Sequence, residues 1–145
     1  MKKIIIINGP NLNLLGNRED NIYGTDSLDK IKSDCEKKCS ENNLQIVFFQ
    51  SNNEGEIIDK IHEVNHSFDG LIINPAAFTH SSIAILDSLR AISKPKIEIH
   101  LSNIYSREEY RKKSITSEGV HGLICGFGGN SYILAIEAIS KLIYN

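Results

Sequence analysis

The sequence predicts an α/β fold: a doubly wound, five-stranded parallel sheet with helices on both faces. Three observations predict it. Apolar runs of strand length recur at Lys3–Ile7, Gln45–Gln50, Leu71–Asn74, Ile97–Leu101 and Leu123–Phe127. These runs are nearly continuous rather than alternating, as in strands covered on both faces. Segments of helical period separate them, and a βαβ alternation implies parallel pairing through right-handed crossovers. The 145 residues suit one catalytic domain spanning 1–145, for which the flavodoxin-like strand order 2-1-3-4-5 is the usual solution.

Each helix has its own signal. Ser27–Glu41 puts Leu28, Ile31, Cys35 and Cys39 on one face, and Glu54–His66 does the same with Ile57, Ile58, Ile61 and Val64. Ser81–Ala91 follows the capping stretch "THSS". Arg107–Lys113 reads as a short charged helix or turn, and Ser131–Tyr144 closes the chain after "GGN".

Composition narrows the function. Hydrophobic residues make up 41% and charged residues 23%, as in an ordinary globule. A net charge of -2 points away from nucleic acid and membrane surfaces and toward a small ligand. Three cysteines without a CxxC argue against a disulfide framework and fit a reducing cytoplasm. The chain starts on strand-like sequence, without a signal-peptide pattern or an apolar run of transmembrane length, so a cytoplasmic location is expected.

Sheets of this kind bind ligands beyond the carboxyl ends of their strands. There the chain sets Asn8 and "GPNLNLLGNREDNIYG", then "NPAAFTHSS" with Asn74 and His80. "EIHLSN" follows the fourth strand, then "YSREEYRKKS" with Arg107 and Arg111, and "GFGGNSY" follows the fifth. None has the spacing of a nucleotide loop. Glu98, His100 and Ser102 share one strand face, so the carboxylate can set the tautomer of the imidazole. The plainer reading of His100 is a buried histidine with its hydrogen bonds satisfied. His80 and Asp87 lie seven apart, which puts them on one face of a continuous helix. Arg111 reads by default as a solvated cation.

Two stretches mislead. "HEVNH" at His62–His66 matches the zinc-protease pattern HExxH. Both histidines, however, fall roughly 110–150° from the apolar stripe, toward solvent. Cys35 and Cys39 have i,i+4 spacing but lie on the buried stripe of their helix.

Taken together, "INGPNLNLLGNRE…YG", "QSNNEGEIID", "INPAAFTHSSIAILD", "EIHLSN…SREEYRKKS" and "ICGFGGNSY" resemble the type II 3-dehydroquinate dehydratases. The matches run in order over nearly the whole chain. Ala76 stands where the family often has Gly, Phe78 where it often has Tyr, and Asn53 where His is common. The resemblance implies dehydration of 3-dehydroquinate to 3-dehydroshikimate in the shikimate pathway of aromatic amino acid biosynthesis. The route is a trans elimination through an enolate, with no cofactor, no metal and no lysine Schiff base. It implies a homododecamer, a tetramer of trimers.

The resemblance also implies residue roles. Tyr23 matches the base and Arg18 its partner; Asn11 matches the residue that holds a water against the enolate oxygen. His100 matches the general acid, with Glu98 orienting it. Asn74, His80, Asp87 and Arg111 match contacts to substrate hydroxyls. The N–H groups of Leu101 and Ser102, with the Ser102 hydroxyl, match the carboxylate grip. A free tyrosine is only about 0.1% ionised at pH 7, and a competent phenolate base needs roughly 4 kcal/mol of help. A fixed guanidinium supplies help of that kind. Gly16 and Gly24 bracket the Arg18–Tyr23 segment as hinges of a lid.

The rival reading is a flavodoxin-like module that binds a small ligand without catalysis. An FMN carrier needs hydroxyls in its first loop, and "GPNLNLLG" has none. A receiver domain needs acidic residues where this chain has Asn8 and Asn74.

Overall fold

Four consecutive isoleucines make β1 (Lys2–Asn8) the centre of the molecule. In the computed structural model, which describes residues 1–17 and 19–145, Ile4 through Ile7 are fully buried. Arg18 lies outside the described residues. The chain continues through α1 (Asp20–Tyr23), α2 (Leu28–Glu41), β2 (Leu44–Gln50), α3 (Glu54–His62), α4 (Val64–Ser67) and β3 (Gly70–Asn74). It ends with α5 (Ile83–Arg90), β4 (Lys96–His100), β5 (Gly122–Cys125) and α6 (Asn130–Tyr144). All neighbouring strands pair parallel, in the expected order 2-1-3-4-5.

Strand side chains alternate between faces, so β1 needs two covers. Ile4 and Ile6 pack with Ile31, Cys35 and Cys39 of α2 and with Tyr132, Ala135, Ile136 and Ile139 of α6. Ile5 and Ile7 pack with Ile57 and Ile61 of α3, Val64 of α4, and Ile85 and Leu89 of α5. Side-chain caps start three of these helices: Ser27 accepts from Lys30 N–H, Asn53 from Glu56 N–H, and Ser82 from Ile85 N–H. Asn53, an unusual residue for the family resemblance, thus works as the cap of α3.

Several expected boundaries move. β4 stops at His100, which leaves Leu101 in the bend beyond it. β5 stops at Cys125, because Gly126 takes φ +100° and Phe127 turns out to 61% exposure. The expected helix over Glu54–His66 breaks at Glu63, whose N–H bonds back to Lys60 at 3.2 Å, a tighter turn than the α-helical one. His62 and His66 are exposed, whereas Cys35 and Cys39 are fully buried. Arg107–Lys113 holds one 3-10 turn, Glu109–Arg111. His80 and Asp87 do not share a helix: His80 ends a 3-10 turn (Ala76–His80), and extended Ser82 interrupts the phase before α5. Among the described residues, no helix is long and apolar enough to cross a membrane.

Candidate active site

The carboxyl ends of β1, β3 and β4 open into a cavity of about 550 Å³, part of it open to solvent. Asn11, Tyr23, Asn74, His80, His100, Leu101, Ser102 and Arg111 all line it. Asp87 does not; it is exposed on α5. Glu98 stands behind His100, fully buried.

Backbone packing builds the rim. Gly9 follows β1 and donates its N–H to Asn74 O at 2.8 Å. A Cβ there would sit 2.5 Å from Pro75 O, so only glycine lets the first and third loops approach this closely. The "QSNN" stretch supports the same loop: Gln50 Nε2 donates to Gly9 O at 3.2 Å, and Asn52 Oδ1 accepts from Asn11 N–H at 3.0 Å. Asn11 is held at φ +69° and Ala76, on the facing wall, at φ +52°.

His100 and Glu98 form a buried dyad, with Nε2 2.7 Å from Glu98 Oε2. The same oxygen accepts from Thr79 Oγ1 at 2.8 Å and Ser114 Oγ at 3.0 Å, and Oε1 accepts from Thr116 Oγ1 at 2.6 Å. Burial alone would raise the Glu98 pKa. His100 and the hydroxyls of Thr116 and Thr79 outweigh it and hold the carboxyl below its ordinary value. An ionised carboxylate at Nε2 requires the proton there, which leaves Nδ1 as the nitrogen for the cavity. The hydroxyl cage also anchors the segment after β4, since Ile115 N–H donates to Thr79 O at 2.7 Å.

His80 Nδ1 lies 2.8 Å from Lys113 O. Burial pushes its pKa below the ordinary value, helped by His100, Arg111 and Arg107 and opposed by the Lys113 carbonyl. The ring is therefore neutral with its proton on Nδ1, and Nε2 is an acceptor.

Tyr23, the last residue of α1, lines the same cavity. Arg107 Nη1 donates to its hydroxyl at 3.0 Å, and the guanidinium carbon lies 5.1 Å from the ring centroid. Nη1 also lies 3.5 Å from Ser102 Oγ. An N–H from a fixed cation stabilises negative charge on an oxygen. Sequence reasoning expected Arg18, which lies outside the described residues, beside the tyrosine; Arg107 is a further partner that it did not select. The available signal was a second arginine four residues before Arg111 in "SREEYR". Among the described residues, no cluster of three His, Cys, Asp or Glu could hold a metal ion.

The chain therefore brings a phenol with a cationic partner and an imidazole with an anionic one to the same cavity. That arrangement suits paired proton transfer on a small polar ligand. The model of the family "Dehydroquinase class II" matches residues 2–140. A 3-dehydroquinate dehydratase of Caldicellulosiruptor saccharolyticus is 53% identical over 144 residues, 99% of each chain. One of Clostridium botulinum is 55% identical over 139 residues, 96% of this chain and 95% of that protein. The crystal structure of a type II dehydroquinase from Butyrivibrio crossotus superposes with a TM-score of 0.93 at 46% identity, covering 95% of this chain and 97% of that one. The enzyme from Propionibacterium acnes superposes at 0.94 with 38% identity, covering 97% of each chain. With its fold and nearly its whole length matched in this way, the chain belongs to the class II dehydroquinase family.

Proposed function

We propose that this chain is a hydro-lyase that converts 3-dehydroquinate to 3-dehydroshikimate by trans elimination through an enolate, acting as one catalytic unit over residues 1–145. The observation that carries the reading is that the pairs Tyr23–Arg107 and His100–Glu98 meet at one cavity, in a member of this family. Tyr23, as phenolate, takes the proton from the carbon beside the ketone. The electron pair moves onto the ketone oxygen, where a water held by Asn11 stabilises it. Collapse of the enolate expels the hydroxyl two carbons along, which leaves as water with a proton from His100. Glu98 orients the imidazole through the Nε2 contact. Arg18 is assigned to favouring the Tyr23 phenolate, on the lid segment that carries both residues.

Leu101 and Ser102 are assigned to the substrate carboxylate, and Asn74, His80 and Arg111 to its hydroxyls. Asp87 has the same assignment but lies outside its own chain's cavity. It would reach a substrate only in a neighbouring copy; the homododecamer, a tetramer of trimers, rests on the family resemblance. The pathway is aromatic amino acid biosynthesis, the location cytoplasmic, and no cofactor takes part.

The test is direct. Added 3-dehydroquinate should give the absorbance of the conjugated enone product, and borohydride with substrate should leave activity intact. No product at high enzyme concentration would refute the assignment, as would trapping of substrate on a lysine. Binding of 3-dehydroquinate without turnover would favour the rival binding module.

A further inference from the structure

Behind the cavity, on the α6 side of the sheet, three polar side chains meet in the core. Asn8 and Asn74 face each other across β1 and β3 and are 0% and 2% exposed. Tyr132, in the first turn of α6, is fully buried between them and the helix.

The direction of every hydrogen bond in this group follows from its two ends. At one end is the N–H of Ala76, which can only donate, so the side-chain oxygen of Asn74 faces it at 3.1 Å. The Asn74 Nδ2 group therefore faces Tyr132 Oη, also at 3.1 Å, and must donate to it. The phenol accepts there, so its one proton goes to Asn8 Oδ1 at 2.6 Å. Asn8 then donates through Nδ2 to the Phe49 carbonyl, 3.0 Å away, which can only accept. No other set of proton positions satisfies all four contacts.

One hydrogen on Asn74 Nδ2 remains without a protein acceptor among the described residues, and Asn74 lines the same cavity as His100. Its oxygen is already committed to Ala76. The donor that Asn74 has left for a ligand is therefore an N–H, with its oxygen turned to the Ala76 N–H. We propose that Tyr132 is a positioning residue that locks Asn74 as a hydrogen-bond donor toward the leaving hydroxyl. This rests on the dehydration proposed above. As the C–O bond breaks, that oxygen gains negative charge until His100 protonates it. A fixed N–H aimed at it strengthens in the transition state. A carbonyl in the same place would accept the hydroxyl's own proton and favour the ground state.

Two variants test this. Tyr132→Phe keeps the ring and removes both hydrogen bonds. The expected result is a fall in kcat of about tenfold with KM changed less than about threefold. Asn74→Asp keeps the acceptor for Ala76 but, when ionised, offers the cavity only lone pairs. Its kcat should fall by about 100-fold at neutral pH. The ratio of its kcat to that of the parent should rise as pH falls, because a protonated carboxyl donates again.

A Tyr132→Phe enzyme that is folded and retains kcat within about twofold overturns the proposal, as does one changed only in KM. If Tyr132→Phe does not fold, Asn74→Asp decides: a kcat ratio that stays flat or drops toward low pH overturns it. Parent enzyme that fails to turn over 3-dehydroquinate sinks the dehydration reading and this inference with it. An active parent with unaffected variants sinks only the inference.

Discussion

Replacing Thr116 by Val removes one hydroxyl from the cage around Glu98 with almost no change of shape. Thr116 is fully buried, and its Oγ1 donates to Glu98 Oε1 at 2.6 Å. Hydrogen bonds to charged groups contribute about 1.5–3 kcal/mol, and the carboxylate, at 0% exposure, has no water to replace the lost donor. Thr116→Val should therefore lose about 1.5–3 kcal/mol of unfolding free energy at pH 7, read by urea denaturation. The pH dependence follows from the lowered Glu98 pKa. A carboxyl depressed in the folded state stabilises the protein above its unfolded pKa, about 4.3, and that contribution is lost as pH falls through the folded value. The variant's deficit should thus be full and constant from pH 7 to 5 and shrink in acid. A deficit under about 0.5 kcal/mol at pH 7, or one that grows as pH falls, would show that the hydroxyl does not support the charge.

Ala76 holds φ +52°, a conformation costing an L-residue about 1–2 kcal/mol, so Ala76→Gly should leave stability unchanged or raise it by up to about 1 kcal/mol in the same denaturation experiment. A clear loss would mean that the Ala76 methyl is needed for packing. Arg107→Ala removes the donor 3.0 Å from Tyr23 Oη and should lower kcat about 10- to 100-fold, with a smaller change in KM. An unchanged kcat would leave the guanidinium without a catalytic part. Burial pushes the Cys35 thiol up and the Cys39 thiol to about 12, so iodoacetamide should label neither in the folded protein at pH 7.5, as read by mass spectrometry. Labelling of both without denaturant would contradict the packing of α2 on the sheet.

The fold was legible because its signal is local and repeated. Both faces of β1 and β3 are covered, so each strand appears as a nearly continuous apolar run, and the alternation with helices restricts the topology. The rim was legible for the same reason, since residues after each strand meet at one end of a parallel sheet. The deeper supports of the site were not. Thr79, Ser114 and Thr116 lie 16 to 19 residues from the glutamate they cage, and a lone hydroxyl in a loop carries no spacing signal. Tyr132 joins Asn8 across 124 residues of sequence, and in "GFGGNSY" it reads only as an apolar helix residue. Arg107 and Arg111 are equivalent in a charged stretch until the backbone decides that Arg107 reaches Tyr23 and Arg111 turns to Glu108 at 2.9 Å. The phase assumed between His80 and Asp87 failed because a capping serine can end one turn and start another within two residues.

The measurement that bears most directly on the mechanism is turnover of 3-dehydroquinate by the Tyr23→Phe enzyme, set beside its binding of the same substrate. The phenyl ring keeps the wall of the cavity and the stacking with Arg107 but has no oxygen to carry a proton. The account predicts binding within a fewfold of the parent and a loss of kcat of about 100- to 10,000-fold, since a general base contributes about 10²–10⁴. Turnover within about tenfold of the parent would contradict it and move the base to another residue.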